Sequence, residues 1–251
     1  MIFVSVVSHG HFDLIKELGV LAKIAKDRRF SIFLVDNLGE ANFKYWCERN
    51  KIHYWKNKKK LGFGANNNLN FALAQKMSQS VDDFFIVLNP DLIVDPCILV
   101  EFEKQSKEYG ASISTVNLYL DRGLTISEDC IRIFPSAKSF LKTFFLRENP
   151  TLIVKKDLIA PTSVDWCAGC LMGFSMIHYR ALRGFDESYF MYCEDIDICY
   201  RSYKIFGKKV VYFPDLKAVH LSQRRSRQLL SKHFYWHVVS ALRFVISRLF
   251  H

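Results

Sequence analysis

The sequence is poor in the residues that mark fibrous and disordered chains. Among 251 residues there are only 11 glycines and 6 prolines, while 50% of the residues are apolar and 24% are charged. This composition excludes a collagen-like repeat, low-complexity disorder and a small disulfide-stapled scaffold. A chain of this length can fold as one α/β domain with a large hydrophobic core.

Long hydrophobic runs are absent as well. Uncharged stretches near the C-terminal end, such as Phe234–Leu242, are far shorter than the ~20 apolar residues of a transmembrane helix. The run Ile2–Val7 has neither a basic segment nor a cleavage site, so we expect a strand and no signal peptide. The odd number of cysteines, seven, then indicates free thiols in a reducing compartment. Cys167 and Cys170 have no second pair at matching spacing, which argues against a zinc site.

Acidic residues are missing from the C-terminal end. The last one is Asp215, and most of the formal net charge of +10 comes from the basic residues beyond it: Lys217, Arg224, Arg225, Arg227, Lys232, Arg243 and Arg248. A basic segment without acids is either a solvated face or an electrostatic footprint for phosphates or an anionic bilayer.

The same segment has helical spacing. Its apolar residues recur every three or four positions, namely Leu230, Phe234, Val238, Leu242, Val245 and Leu249. We predict an amphipathic helix from about Arg227 to Phe250, and we divide the chain into a domain of residues 1–221 and a helical segment of residues 222–251. This helix either packs on the domain or lies on a membrane, and its basic residues favour contact of residues 224–250 with an anionic surface.

Strands and helices alternate over the first hundred residues. Apolar runs predict strands at Ile2–Val7, Ser31–Val35, Ile52–Trp55 and Asp83–Leu88, and helical spacing predicts helices at Phe12–Ala25, Ala41–Asn50 and Asn67–Met77. Such alternation is typical of right-handed βαβ units and a parallel sheet flanked by helices.

The second half is less regular and contains no internal repeat. We predict strands at Ala111–Leu118, Cys130–Phe134, Asp165–Met176 and Lys209–Phe213, with helices at Ala137–Leu146 and Glu194–Phe206. Residues 150–163 are expected to be a mobile connection.

Polar clusters follow three of the predicted strands. They are Ser8–Gly10, Asp36–Asn37 and Asn89–Asp91. Because open α/β sheets bind ligands at the carboxyl ends of their strands, these clusters indicate a binding site.

Two acidic positions, Asp91 and the cluster Glu194–Asp197, allow two interpretations each. Asp91 at the tip of a buried strand could hold a divalent cation that neutralises a diphosphate, but Asn, Pro and Asp are also turn formers. The acids Glu194, Asp195 and Asp197 could include a general base, but acids are also favoured in the first turn of any helix.

The glycine loop and the histidines are weaker signals. Gly62–Asn68 is half of a phosphate-binding pattern, and an ordinary loop before a helix explains it equally well. His220 at the end of a strand-like run is by itself more often structural than a ligand.

Together these segments resemble the family 2 glycosyltransferases, which have the GT-A fold. Gly184–Asp197 is similar to the family's GFDE…FMY.ED.D signature, and Leu88–Asp91 is similar to the variant of its metal motif common in rhamnosyltransferases. Val7–His11, Gly62–Asn68 and Asp165–Gly169 make the chain more similar still to bacterial O-antigen rhamnosyltransferases. The resemblance implies a Rossmann-like, mostly parallel central sheet with flanking helices and the amphipathic C-terminal helix.

The resemblance also implies roles for individual residues. Asp195 is the implied catalytic base, with Glu194 beside it shaping the acceptor pocket. Asp91 and His220 would hold Mg²⁺ or Mn²⁺, and Asp36 would bind the nucleotide base. Further donor contacts are implied at Ser8, His9, Gly62, Gly64, Asn67, Asn68 and Asn89, and further acceptor contacts at Trp166 and Gly169.

Two positions depart from the family pattern. Asn89 replaces the first acid of the usual Asp-x-Asp motif, so the site has one fewer negative charge and we expect weaker dependence on a metal. His9 and Gly10 replace an aromatic–Asn pair that is common after the first strand.

The activity implied by the resemblance is inverting transfer of L-rhamnose from dTDP-rhamnose. The acceptor would be a polyprenyl-diphosphate-linked N-acetylglucosamine-type sugar in O-antigen and lipopolysaccharide synthesis, on the cytoplasmic face of the bacterial inner membrane. A transferase for galactose or N-acetylglucosamine stays open. The pI near 9.2 and Lys56–Lys60 leave a nucleic-acid-binding protein as a remote alternative, but no recognised binding motif is present and we expect no nucleic-acid partner.

Overall fold

The computed structural model describes residues 1–136, 150–221 and 232–247. Its strands are β1 (Ile2–Ser8), β2 (Phe30–Asp36), β3 (His53–Lys56), β4 (Phe84–Leu88), β5 (Leu92–Ile93), β6 (Ile113–Tyr119), β7 (Ile131–Arg132), β8 (Thr162–Val164), β9 (Trp166–Cys167), β10 (Leu171–Ser175) and β11 (Val210–His220). Its helices are α1 (Phe12–Leu18), α2 (Val20–Ile24), α3 (Phe43–Arg49), α4 (Phe63–Met77), α5 (Pro96–Glu108), α6 (Met176–Ala181), α7 (Glu194–Phe206) and α8 (Lys232–Ser247).

The first four strands of the central sheet are parallel. They lie in the order β3-β2-β1-β4, with Val4 opposite both Ile32 and Ile86. The residues of β2 and β4 are buried throughout, because helices cover both faces of the sheet. The predicted βαβ alternation of the first hundred residues is therefore confirmed.

Beyond β4 the sheet is mixed. β10 lies antiparallel between β4 and β6, and β6 pairs in parallel with β11. Gly173 in β10 makes this packing possible, since a Cβ there would lie 2.5 Å from the Phe84 ring and 2.7 Å from the Phe102 ring. Helix α5 can thus approach the sheet closely. The predicted α/β fold holds, with more antiparallel pairing than the repeating pattern of the first half suggests.

Several element boundaries differ from the prediction. Gly19 at φ +64° divides the predicted first helix into α1 and α2. Helix α4 begins at Phe63 instead of Asn67, because the glycine segment forms its first turn. A register shift between Phe213 and Lys217 lets β11 continue to His220. The predicted helix Ala137–Leu146 lies outside the described residues.

The C-terminal helix packs on the domain along one face. Ala241 and Phe244 are buried, and the Phe244 ring lies 5.6 Å from that of Tyr200. Ser240 Oγ donates a hydrogen bond to the Met191 carbonyl, at 2.9 Å. Helix α8 therefore leans on the segment that precedes Glu194. None of the described helices has both the length and the apolar character required to cross a bilayer.

Candidate active site

The first turns of α4 hold in place the segment Gly184–Asp197, the signature segment. The side chain of Asn68 accepts hydrogen bonds from the Tyr179 hydroxyl at 2.8 Å and the Phe185 amide at 2.9 Å, and it donates to the Phe185 carbonyl. The Phe63 amide donates to the Phe190 carbonyl at 3.1 Å. Two chain segments far apart in sequence thus share one rigid junction at the start of α4.

Gly62 and Gly64 serve this junction. A Cβ at Gly62 would lie 2.5 Å from the Phe190 carbonyl oxygen, and one at Gly64 would lie 2.7 Å from Phe185 Cβ. The structure thus places both glycines against the signature segment, where a side chain could not fit. It gives them a packing role that the donor-contact prediction did not include.

Sheet pairing brings Asp91 and His220 together. Short strand β5 follows Asp91 directly and pairs antiparallel with the end of β11, so that Leu92 lies opposite His220. The Leu221 amide also donates to the Asp91 carbonyl, at 3.1 Å. As a result, Asp91 Oδ1 lies 3.2 Å from His220 Nε2, although the two residues belong to distant parts of the chain.

A third group, which sequence reasoning missed, faces the same imidazole. Glu128 Oε1 and Oε2 lie 2.9 Å and 3.0 Å from His220 Nδ1. Cys170 Sγ belongs to the same cluster, since ligand atoms of Glu128, Cys170 and His220 lie within 4.8 Å of one another. Glu128 belongs to no recognised motif, and the polar residues around it are typical of a solvated loop, so no signal in the sequence points to it.

The carboxylates favour the charged form of His220. Burial alone would lower the pKa of His220, but the neighbouring Cys170, Asp91 and Glu128 outweigh it, and the pKa lies above its usual value. Burial raises the pKa of the Cys170 thiol, so this thiol is neutral near pH 7 and acts on His220 as a hydrogen-bond partner, while the carboxylates of Asp91 and Glu128 supply the negative charge. Burial would raise the pKa of Asp91, yet the contact with His220 lowers it overall.

These groups fit a divalent cation. A carboxylate oxygen is a ligand for Mn²⁺ and Mg²⁺, and an imidazole nitrogen is a ligand for Mn²⁺ once it has lost its proton, so a bound cation would replace the proton on His220 Nε2. Asp91 Oδ1 and His220 Nε2 lie 3.2 Å apart, close enough to hold one ion together. The Asn89 side chain makes no hydrogen bond to another residue within the described parts of the chain.

The candidate base lies on the other side of the Gly169–Cys170 segment. Asp195 Oδ2 accepts a hydrogen bond from the Gly169 amide at 3.1 Å, and Oδ1 accepts one from the Ile196 amide at 2.9 Å. The next residue, Cys170, accepts a hydrogen bond from the Asn89 amide at 2.8 Å. One short segment therefore connects the strand end next to Asp91 with the carboxylate of Asp195.

Burial sets the protonation of the two adjacent acids. Burial, and then the charge of Asp195, raise the pKa of Glu194 well above its usual value. Glu194 Oε2 is buried and has no hydrogen-bond partner among the described residues, as expected for a carboxyl held neutral. Burial also raises the pKa of Asp195, although its two backbone hydrogen bonds and Arg132 oppose the change. Asp195 is the partly exposed member of the pair and the one suited to accept a proton.

The third acid of the cluster is structural. Asp197 Oδ2 accepts a hydrogen bond from Arg201 Nε at 2.7 Å, and both side chains are largely buried. The same guanidinium donates to the carbonyls of Leu182 and Gly184. This ion pair fixes α7 against the turn that opens the signature segment.

Four predicted substrate contacts are turned inward. Both oxygens of the fully buried Asp36 already accept two hydrogen bonds each, from the amides of residues 38–40 and from the Tyr54 hydroxyl. Ser8 is buried and donates to Glu40, and Asn67 is buried and accepts from Ser5 at 2.6 Å. Trp166 is 6% exposed and donates to the Ile133 carbonyl. In this conformation these four side chains support the backbone around the site through their hydrogen bonds and are not turned towards a substrate.

The other predicted residues line the same region in different ways. His9 is exposed at the carboxyl end of β1, and its Nδ1 lies 3.5 Å from Asn37 Nδ2. Gly169 is partly exposed beside Asp195, and a Cβ there would lie 3.2 Å from the Phe63 ring. The structure therefore brings Asp91, His220, Gly169 and Asp195 together around one segment.

Comparison with known proteins identifies relatives of this chain by sequence. No protein-family model matches the chain. It is 35% identical over 250 residues to the rhamnosyltransferase WbbL of Escherichia coli K12, covering 99% of this chain and 94% of the relative. It is 26% identical over 209 residues to the N-acetylglucosaminyl-diphospho-decaprenol L-rhamnosyltransferase of Mycobacterium tuberculosis H37Rv, covering 75% of this chain and 64% of the relative.

Solved structures share the fold at low sequence identity. GalNAc-T7, solved with UDP, GalNAc and Mn²⁺, superimposes with a TM-score of 0.62 at 14% identity, covering 98% of this chain and 47% of that one. The mannosyltransferase PcManGT of Pyrobaculum calidifontis, solved with GDP-Man and Mn²⁺, gives a TM-score of 0.61 at 14% identity, covering 98% and 64%.

The fold is that of the GT-A glycosyltransferases, and the rhamnosyltransferase relatives identify the chain as a glycosyltransferase. With 35% identity to WbbL over nearly the whole of both chains, this chain belongs to the rhamnosyltransferases of glycosyltransferase family 2.

Proposed function

We propose that this enzyme transfers L-rhamnose from dTDP-rhamnose to a polyprenyl-diphosphate-linked N-acetylglucosamine-type acceptor in O-antigen synthesis. One observation carries the proposal: a carboxylate–imidazole pair, Asp91 and His220, and a partly exposed carboxylate, Asp195, flank the Gly169–Cys170 segment. The names of the WbbL and mycobacterial relatives support rhamnose, and the mycobacterial name supports the lipid-linked acceptor.

The donor side of the site must support a departing diphosphate. Asp91 and His220 would hold Mn²⁺ or Mg²⁺, which when bound neutralises the charge of the leaving nucleotide diphosphate. The exposed His9 and the partly exposed Asn89 lie at the strand ends that border the donor. The buried Asp36 holds the loop of residues 38–40 in shape through its backbone hydrogen bonds.

The acceptor side must deprotonate a sugar hydroxyl. Asp195 takes the proton while the acceptor oxygen bonds to the anomeric carbon and the bond from that carbon to the diphosphate oxygen breaks. A single displacement of this kind inverts the configuration, so a β-linked donor gives an α-rhamnoside. The amides of Gly169 and Ile196 fix the orientation of the base through their hydrogen bonds to Asp195.

A donor screen tests the proposal. The full-length enzyme is given a lipid-diphosphate-N-acetylglucosamine acceptor and dTDP-rhamnose, or in parallel the UDP-linked sugars galactose and N-acetylglucosamine, each with and without EDTA. We expect release of dTDP and a rhamnosylated lipid, reduced by EDTA. Preferred turnover of a UDP-sugar would replace rhamnose with that sugar, and no acceptor-dependent turnover of any donor would overturn the proposal.

We also propose that α8 holds the enzyme on an anionic membrane. Opposite its packed face, the helix exposes an apolar stripe with spacings of four, three and four residues: Tyr235 (66% exposed), Val239 (38%), Leu242 (59%) and Ile246 (54%). The chain beyond Asp215 has basic but no acidic residues, which suits anionic lipid. Because α8 leans on the segment before Asp195, this contact would keep the acceptor site close to a lipid-linked substrate at the cytoplasmic face of the inner membrane.

The structure changes which residues would enter the lipid. Of the apolar repeat predicted from the sequence, Leu242 is exposed, whereas Val238 and Val245 are only partly so. Residues 222–231 and 248–251, with most of the basic side chains, lie outside the described residues, as does the side chain of Phe234.

A further inference from the structure

Glu128 stands behind the histidine of the candidate metal site. Its two carboxylate oxygens face His220 Nδ1 at 2.9 and 3.0 Å, while Asp91 Oδ1 faces Nε2 at 3.2 Å. The side chains of the three residues are 18%, 10% and 14% exposed, for Glu128, His220 and Asp91 in turn. The imidazole is therefore enclosed between two carboxylates.

The backbone fixes Glu128 in this position. Its amide donates to the Leu118 carbonyl at 2.9 Å, and its carbonyl accepts from the Cys130 amide at 2.8 Å. Leu118 lies in β6 opposite Ala218 of β11, two residues before His220. The loop after β6 thus returns to the sheet and carries Glu128 to the end of β11.

The position of Glu128 matters because the site has one acid fewer than the usual motif. With Asn89 in the place of the first acid of the motif, Asp91 is the one carboxylate that the motif itself brings to the cation. We propose that Glu128 is a positioning residue of the metal centre, which supplies the missing negative charge through His220. This inference rests on the metal site of the proposed function.

The chemistry of a carboxylate–histidine–metal arrangement explains how Glu128 acts. A carboxylate that accepts the Nδ1 proton of His220 fixes the imidazole tautomer and makes Nε2 a better electron donor. It also prevents the ring from rotating away from Asp91. Loss of such a partner typically weakens metal affinity by about 10–100-fold.

The experiment measures Mn²⁺ binding to the full-length enzyme from the EPR signal of free Mn²⁺, without any sugar nucleotide. We expect Glu128→Gln to bind Mn²⁺ about 10–100-fold more weakly than the wild type. Asp129→Asn is the matched control, since it removes the same charge from the neighbouring, exposed residue and should leave the affinity unchanged. Adding Asn89→Asp to Glu128→Gln should restore most of the affinity.

The outcomes separate the inference from the activity. Equal Mn²⁺ affinity of Glu128→Gln and wild type, with a lowered melting temperature, would show a structural ion pair only and overturn the inference. Transfer of rhamnose that ignores EDTA, with no Mn²⁺ bound by the wild type, would also overturn it while leaving the proposed transfer intact. Recovery of transfer by Glu128→Gln at high Mn²⁺ would support it.

Discussion

At the scale of single residues, the acids Glu194, Asp195 and Asp197 have three different roles because their surroundings differ. Glu194 is buried, and one of its oxygens has no partner in the described parts of the chain. Asp195 is partly exposed and oriented by two amides, and Asp197 is paired with Arg201. The sequence predicted the cluster, and the family resemblance singled out Asp195. Neither could separate the role of Asp197, because its partner lies four residues along the helix, where a surface ion pair is equally common.

Replacement of Asp195 by Asn tests its role as the base. The amide keeps the size of the side chain but cannot accept the hydroxyl proton, so we expect kcat to fall by about 10²–10⁴-fold. The affinity for the nucleotide part of the donor, measured by calorimetry with dTDP, should stay within a small factor of the wild type. Asp186→Asn, an exposed acid of the same segment, is the control and should retain activity. Near-normal turnover by Asp195→Asn would remove Asp195 from the mechanism.

The buried Glu194 predicts a pH dependence of stability. Because burial raises the pKa of Glu194 in the folded state, its contribution to stability is complete below the usual carboxyl pKa and is lost as the pH rises towards the folded-state value. Glu194→Gln resembles the protonated form at every pH. We therefore expect this variant to gain melting temperature relative to the wild type at pH 8 and to gain little at pH 4. An equal difference at both pH values would contradict the assignment of a neutral Glu194.

At the scale of elements, the apolar patterns predicted the positions of strands and helices better than they predicted which strands pair. The strands β1, β2 and β4 and the helix Glu194–Phe206 lie where the apolar patterns place them. Hydrophobic patterns carry no information about which distant strands become neighbours, so the antiparallel insertion of β10 and the pairing of β5 with β11 were not foreseen. For the same reason the meeting of Asp91 with His220 came from the family resemblance, and Glu128 was missed.

Helix α8 gives a prediction at this scale. Leu242→Glu combined with Ile246→Glu puts two charges on the exposed stripe and leaves the packed Ala241 and Phe244 untouched. We expect loss of cosedimentation with vesicles of phosphatidylethanolamine and phosphatidylglycerol, with an unchanged melting temperature. Val81→Glu with Ile205→Glu, two exposed apolar residues outside α8, is the matched control and should still bind. Unchanged binding by the α8 variant would exclude the helix as the membrane contact.

At the scale of the whole molecule, the sheet brings four distant segments to one place. The ends of β4 and β11 and the Gly169–Cys170 turn meet through backbone hydrogen bonds, and the turn reaches the start of α7 through the hydrogen bond from the Gly169 amide to the Asp195 carboxylate. Gly62 and Gly64 at the start of α4 let the signature segment pack against the same edge. The central claim is that this convergence places the cation and the base on opposite sides of one transfer site.

A crystal structure of the enzyme with dTDP and Mn²⁺ tests that claim most directly. Mn²⁺ should lie between Asp91 and His220 in contact with the diphosphate, and the carboxylate of Asp195 should face the open side of the terminal phosphate, where the sugar would sit. Mn²⁺ bound elsewhere, or an Asp195 carboxylate separated from the diphosphate by closed protein, would contradict the account.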